Sequence, residues 1–128
     1  MKVVLIFSLL ILVSCNFPNQ EEIISFDSIL LDLGKVEYGG KVDMRYRFKN
    51  ETGKSISISQ VIPGCDCTII NGYDSSSIED GAYGEIRVSY DTRKGIIGVY
   101  RKDLHVFFKN VKDSVYSLYY TGIVTGNK

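Results

Sequence analysis

The sequence contains no tryptophan, one histidine and two prolines, and its 15 lysines and arginines balance its 15 aspartates and glutamates. Because no basic stripe interrupts this balance, the composition argues against nucleic acid as a partner. After Cys15, no stretch shows the i, i+3, i+4, i+7 spacing of apolar residues that marks an amphipathic helix. The glycines are dispersed among turns and form no loop of the kind that binds phosphate. A helical domain, a nucleic-acid-binding protein and a nucleotide-binding enzyme are therefore disfavoured.

The residues that are abundant favour β-strands. Nine tyrosines and six phenylalanines accompany segments rich in valine and isoleucine. Residues 42–49 alternate strictly, which predicts one apolar and one polar face. The apolar set is Val42, Met44, Tyr46 and Phe48, and the polar set is Asp43, Arg45, Arg47 and Lys49. We expect the apolar set to point into a core between two sheets.

Turn residues divide the rest of the chain into short strands at regular intervals. The predicted strands are 24–26, 30–33, 42–49, 55–61, 65–70, 85–91, 99–108 and 115–124, with the second broken after Gly34. Seven or eight strands in about 100 residues predict an all-β fold, an immunoglobulin-like β-sandwich.

The first residues resemble an export signal. Lys2 precedes an apolar run, residues 3–13, which is about half the ~20 residues that a membrane span needs. Leu12-Val13-Ser14-Cys15 closes the run as a bacterial lipoprotein signal does, with Cys15 as the residue acylated on sulfur. We therefore predict a lipoprotein signal peptide (1–14), a lipidated cysteine and tether (15–22), and the sandwich domain (23–128).

Several motifs occur in the order typical of a known family. They include Leu33-Gly34-Lys35-Val36, the segment Tyr46-Arg47-Phe48-Lys49-Asn50-Glu51-Thr52-Gly53, and Cys65-Asp66-Cys67-Thr68. With Gly84-Glu85-Ile86-Arg87-Val88 and Leu118-Tyr119-Tyr120-Thr121-Gly122, this order resembles the family called domain of unknown function 1573, over roughly residues 24–124. The resemblance implies an immunoglobulin-like sandwich, similar to Hydin-type domains, in an exported bacterial lipoprotein. It implies no reaction, and Asp66 stands where the family usually has glycine.

Cys65 and Cys67 are the main candidates for chemistry. Once Cys15 is used for the lipid, they form an even pair in an oxidising compartment. Three interpretations remain open: a structural pair, bridged or free, a redox pair, and a soft-metal pair for Cu(I) or zinc. Two thiolates do not complete a tetrahedral site, so we predict no metal and no cofactor. Because Asp66 lies between them and disfavours a thiolate, we expect both cysteines to be slow nucleophiles.

Other polar residues support weaker hypotheses. His105 has no serine and acid near it in sequence, which argues against a catalytic triad. The row of Arg45, Arg47 and Lys49 is a positive strand face, either solvated or ligand-binding. Asn50-Glu51-Thr52 matches a glycosylation sequon but is expected to be a turn. We expect Tyr46, Tyr90 and Tyr120 to pack in the core, and Tyr100, Tyr116 and Tyr119 to be partly exposed.

The sequence thus predicts a non-enzymatic binding or scaffolding module of the bacterial cell envelope, anchored by lipid to a membrane on its periplasmic or outer surface. The expected partner besides the membrane is another envelope protein or a glycan. The alternative is a thiol-redox or metal-handling accessory protein that uses Cys65 and Cys67.

Overall fold

The computed structural model of the chain describes residues 13–16 and 21–127. Residues 1–12 of the predicted signal peptide and residues 17–20 of the predicted tether lie outside this part, so both assignments stay predictions. Cys15 is described as an exposed free cysteine. Within the described ranges, no helix has the length and apolar character needed to cross a membrane.

Eight strands account for most of the domain. They are β1 (Ile23–Phe26), β2 (Leu30–Glu37), β3 (Lys41–Glu51), β4 (Ser57–Pro63), β5 (Thr68–Tyr73), β6 (Tyr83–Asp91), β7 (Gly98–Lys109) and β8 (Val115–Thr125), with a short 3-10 helix at Thr92–Lys94. Sheet 1 has the order β1-β3-β6-β5, and sheet 2 has the order β2-β8-β7-β4. All neighbouring strands are antiparallel except β2 and β8, which are parallel. The predicted all-β sandwich is confirmed.

The register of β3 is also as predicted. Met44, Tyr46 and Phe48 are buried between the sheets, whereas Arg45 and Arg47 are exposed on the outer face. Phe48 lies opposite Gly84 of β6, and a Cβ at that glycine would overlap the phenylalanine ring. Glycine is needed there because the ring occupies the space of a side chain.

The chain changes sheets between β1 and β2. β1 pairs with residues 48–51 of β3 in sheet 1, and the N–H of Asp27 donates a last hydrogen bond of 2.9 Å to the carbonyl of Arg47. The chain then crosses to sheet 2, where β2 pairs with β8. As a result, β1 covers only the last part of the outer edge of β3.

The limits of two predicted strands are wrong by three residues or more. β2 does not break after Gly34 but continues to Glu37, because a bulge between Asp32 and Lys35 absorbs the irregularity. Gly34 adopts φ +66°, a conformation that favours glycine, and its N–H donates to the Asp32 carboxylate. The strand predicted at 65–70 begins at Thr68, since the cysteines lie in the turn before it.

Asn50 joins two turns at one end of the sandwich and is fully buried. Its amide nitrogen donates to the carbonyls of Lys54 and Ile78, and its amide oxygen accepts from the N–H and hydroxyl of Thr52. The predicted turn is confirmed only in part, because Asn50 and Glu51 are the last residues of β3 and the turn begins at Thr52.

Two clusters of aromatic rings fill the core. Phe26, Phe48, Phe108 and Tyr116 form the first, and Tyr90, Tyr100 and Tyr120 form the second. Tyr100 was expected to be partly exposed, but this is wrong, since it is 4% exposed. It stands opposite Gly122 on β8, and the glycine leaves room for its ring to lie inward.

The two faces of β3 should respond differently to truncation. Phe48→Ala should lower the free energy of unfolding by about 3–5 kcal/mol because it opens a cavity under β1. Arg45→Ala, the matched control on the exposed face, should change it by no more than about 0.5 kcal/mol. Urea unfolding of the two variants measures both values, and equal losses would contradict this register.

Candidate functional site

The cysteine pair lies where the chain crosses from sheet 2 back to sheet 1. β4 ends at Pro63, β5 begins at Thr68, and a disulfide joins Cys65 to Cys67 in between. The turn is attached at both ends: Gly64 N–H donates to the carbonyl of Asp103, and Cys67 accepts from the N–H of Asp91. The disulfide therefore belongs to a crossover that is anchored to both sheets.

The two sulfurs differ in access. Cys67 is 2% exposed, whereas Cys65 is half-buried and its sulfur lies 3.5 Å from the Thr68 hydroxyl. The same hydroxyl is 2.6 Å from the phenolic oxygen of Tyr120. While the bridge is intact, neither sulfur is a thiolate nucleophile or a metal ligand. An attacking thiol would meet the sulfur of Cys65 first.

Behind the disulfide lies the tyrosine cluster. The ring centroids of Tyr90 and Tyr100 are 4.6 Å apart, and that of Tyr120 is 5.4 Å from Tyr90. Burial raises the pKa of Tyr100 to about 12 and also raises the pKa of Tyr90 and of Tyr120. All three phenols are therefore neutral at physiological pH and act as core residues.

His105 has one neighbour, from the next strand, that its sequence position does not reveal. Its Nδ1 lies 3.0 Å from the Ser117 hydroxyl across the β7–β8 pair, and its Nε2 lies 3.4 Å from the Asp103 carboxylate two residues away. Of these two neighbours only Ser117 is distant in sequence, and strand pairing brings it beside His105, so the sequence argument against a triad missed this serine. Both strands are internal to sheet 2, so their N–H groups are engaged in the ladder instead of facing a reacting oxyanion. These two strands therefore offer no backbone N–H group near His105 to stabilise the oxyanion of an acyl-transfer reaction.

The outer face of sheet 1 gathers more cations than β3 alone supplies. We call it the basic outer face, and it comprises Lys41, Arg45, Arg47, Lys49, Tyr83 and Arg87. Arg87 and Tyr83 lie on β6, and the pairing of β3 with β6 places Arg87 opposite Arg45 and Tyr83 opposite Lys49. Sequence reasoning missed these two residues, although the alternation of residues 83–89 could have identified them.

The cations of this face are held weakly. Glu85 lies between Arg45 and Arg87, at 3.7 and 3.8 Å from their guanidinium nitrogens, and both arginines are more than half exposed. Exposed ion pairs of this kind contribute about 0–1 kcal/mol. The guanidinium of Arg47 lies 4.1 Å from the ring centroid of Tyr83, which is itself 51% exposed. The face can therefore exchange these contacts for an anionic ligand at low cost.

The described residues do not provide a cluster of side chains that could bind a metal ion. Within 13–16 and 21–127, no group of three or more histidine, cysteine, aspartate or glutamate side chains converges as metal ligands would. Met44 is buried on β3, with its sulfur 3.9 Å from the Tyr46 hydroxyl, and His105 lies on the outer face of sheet 2. The structure thus brings neither of them to the cysteine pair as a third ligand.

Comparison with solved structures places the sandwich among immunoglobulin-like and PapD-like folds. A protein of unknown function from Porphyromonas gingivalis W83 is similar with a TM-score of 0.67 and 16% identity, over 84% of this chain and 51% of that one. The PapD-like domain 7 of human CEP192 has a TM-score of 0.62 and 9% identity, over 85% and 89%. The Vibrio cholerae protease VesB has a TM-score of 0.61 and 15% identity, over 84% and 32%.

These likenesses show the fold alone, since the same sandwich occurs in proteins of different function. The chain spans about half the length of the Porphyromonas gingivalis protein and a third of the protease. None of the curated proteins compared with the chain matches it. The model of the family described as protein of unknown function (DUF1573) matches residues 24–124, and the chain belongs to that family.

The cysteines should be slow nucleophiles after reduction. With the Asp66 carboxylate between them, the thiolate is disfavoured, so we expect slow alkylation at neutral pH and faster reaction at Cys65 than at buried Cys67. Stopped-flow alkylation of the reduced protein, with Asp66→Asn as the control that should react faster, measures this. Modification that is rapid well below pH 8, or stoichiometric copper or zinc in protein purified without chelator, would contradict the prediction.

Proposed function

We propose that this chain is a non-enzymatic binding module of the bacterial cell envelope, held to a membrane by lipid on Cys15. The basic outer face is its recognition surface, and its partner is an anionic envelope protein or glycan. The observation that carries the proposal is the set of cations that only weak ion pairs and one exposed tyrosine hold in place.

The exit point of the tether suits this role. Glu22, just before β1, accepts a 2.8 Å hydrogen bond from the Lys54 ammonium and one of 2.9 Å from the N–H of Lys112. These contacts fix where the tether leaves the domain. The seven residues between Cys15 and the domain can span roughly 23 Å. Ile23 pairs with Glu51, the last residue of β3, so the basic outer face extends along β3 away from the point where the tether leaves the domain.

A second candidate function is that of a thiol-redox accessory protein that uses the Cys65–Cys67 disulfide. The incomplete burial of Cys65 is the one observation in its favour, since an incoming thiolate can attack its sulfur and release Cys67 as the leaving thiolate. The alkylation kinetics described above separate this candidate from the first.

Anchoring by Cys15 can be tested directly. Cys15→Ala should block lipidation and leave the precursor unprocessed, because acylation needs the sulfur. The acyl chains contribute about 0.8 kcal/mol per buried methylene, so the wild type should stay in the membrane fraction. Intact-mass spectrometry and membrane fractionation measure both effects. The same lipid-free mature mass for both proteins would defeat the anchoring proposal.

Recognition by the basic outer face can be tested in the cells that make the protein. We expect the variant R45A/R47A/R87A to recover about tenfold less of its cross-linked partner than the wild type does. The matched control K35A/R101A/K109A removes three exposed cations from sheet 2 and should recover the partner normally.

Cross-linking in intact envelopes, followed by quantitative mass spectrometry, gives the comparison. If both variants lose the partner equally, general charge rather than this face would account for capture. If the first variant retains it, the face is not the recognition surface, and either result rejects the proposal.

A further inference from the structure

The outer edge of β3 is open over half its length. β1 covers residues 48–51, and the hydrogen bond from Asp27 to the carbonyl of Arg47 is the last contact on that side. Beyond it, none of the strands within residues 21–127 pairs with this edge of residues 41–46, since the other neighbour of β3 is β6. An edge of this kind is a template for another strand.

The alternation of the backbone identifies the groups that face this opening. The carbonyl of Arg47 points towards β1, whereas the N–H of Asn50 points to the other side and donates to the carbonyl of Ala82. Because peptide groups alternate along a strand, the N–H and C=O groups of Asp43 and Arg45 point to the open side. Four groups, spaced as a ladder requires, are thus available to an added strand.

Two recesses with both apolar and polar linings lie beside the open edge. One, of about 370 Å³, has Leu31 and Tyr46 in its lining near the strand switch, with Asp27, Ser28, Arg45, Arg47 and Glu85 around them. The second, of about 360 Å³, lies at the β2–β3 turn, where Val36 and Val42 line it together with residues 37–41. Leu31 and Val42 are incompletely covered. Inward side chains of an added strand would cover them.

The outward side of the same edge is cationic. Lys41, Arg45 and Arg47 are exposed there. Asp43 is the one carboxylate on β3 among them, and Glu85 of β6 lies 3.7 Å from Arg45. The Asp43 carboxylate is already engaged by the Ser89 hydroxyl, which in turn accepts from the amide of Asn71. Outward side chains of an added strand would therefore meet a net positive row.

We propose that an extended segment of a partner protein pairs with residues 41–46 of β3 and adds a strand to sheet 1. Its alternate residues are apolar, directed at the recesses, and acidic, directed at the cations. This inference rests on the proposed function, because it uses Arg45 and Arg47 as residues that bind the partner. Of the two partner classes proposed above, an envelope protein and a glycan, it selects an acidic segment of a protein.

A second copy of this chain fits the edge poorly. Edge-to-edge pairing of two β3 strands would place lysine and arginine side chains of one copy against those of the other, and like charges opposite each other destabilise a sheet. The charge of the edge therefore favours a different, acidic segment over self-association.

Synthetic peptides test the hydrogen-bonding edge without altering the protein. The probe is a ten-residue peptide in which glutamate alternates with valine, added to the full chain in detergent and followed by fluorescence anisotropy. In such a strand the glutamate N–H groups all point to one edge and the valine N–H groups to the other. Two further peptides carry N-methyl groups on all internal glutamates or on all internal valines.

We expect one of the two N-methylated peptides to lose about tenfold or more in affinity, and the other to lose less than about twofold. If the peptide adds antiparallel to β3, as β1 does, the peptide with methylated glutamates should lose affinity. If it adds parallel to β3, the peptide with methylated valines should lose affinity. An equal effect of the two modifications, or no binding of the unmodified probe, would overturn the proposal.

Variants of the protein then locate the edge. Arg45→Pro removes the charge and the N–H that faces the opening, a substitution that an edge strand tolerates, whereas Arg45→Ala removes the charge alone. The proline variant should bind the probe several-fold more weakly than the alanine variant, and Arg101→Ala should bind normally. Equal binding by the proline and alanine variants would place the peptide elsewhere.

The failures of the two proposals are distinguishable. If the two N-methylated peptides differ in affinity as expected while R45A/R47A/R87A retains its partner in the envelope, the proposed function fails, but the edge of β3 still accepts a strand. If that variant loses its partner but the peptides show no asymmetry, the charged face binds and strand addition is refuted. A probe that only dissociates a dimer of this chain would make a second copy the occupant and overturn the proposal.

Discussion

The switch of the first strand between sheets, at residues 27–29, is the constraint on which the rest of this structure depends. β1 covers one end of the outer edge of β3, and β2 covers the edge of β8 by pairing with it. One segment thus protects two edges, each over part of its length. The opening that remains beside residues 41–46 is the geometric consequence.

The interior differs on the two sides of this switch. Phenylalanine rings fill the half that β1 covers, with Phe26 and Phe48 in contact at 5.3 Å. Tyrosines fill the half that lies beside the open edge, and Tyr46 there donates a 2.8 Å hydrogen bond to the carbonyl of Tyr119 in the opposite sheet. This bond holds the two sheets together where β1 does not reach. The open half is therefore ordered by its core and does not need an added strand to fold.

The fold and the register of β3 could be predicted from alternation, because a buried face imposes period two on the sequence. The continuation of β2 past Gly34 could not, since a glycine that ends a strand and a glycine in a bulge are alike in sequence. Tyr100 was misplaced because its burial depends on Gly122, which faces it from another strand.

The candidate site was predictable in part for the same reason. The alternation within β3 predicts that Arg45 and Arg47 lie on an exposed face. Arg87 and Tyr83 are on β6, and the sequence alone does not show that β6 pairs with β3. Ser117, which lies beside His105, was hidden by long-range pairing in the same way. The open edge of β3 results from the strand order and from the short pairing of β1 with β3, and no local sequence motif predicts it.

Amide hydrogen exchange of the unliganded protein, read residue by residue by NMR, tests the central claim most directly. The account predicts a two-residue alternation within β3: fast exchange at Asp43 and Arg45, whose N–H groups face the opening, and slow exchange at Met44 and Tyr46, whose N–H groups pair with β6. The N–H of Lys49, under β1, should exchange slowly as well. Uniform protection of residues 43–46 would show that the edge is already covered, and would contradict the account.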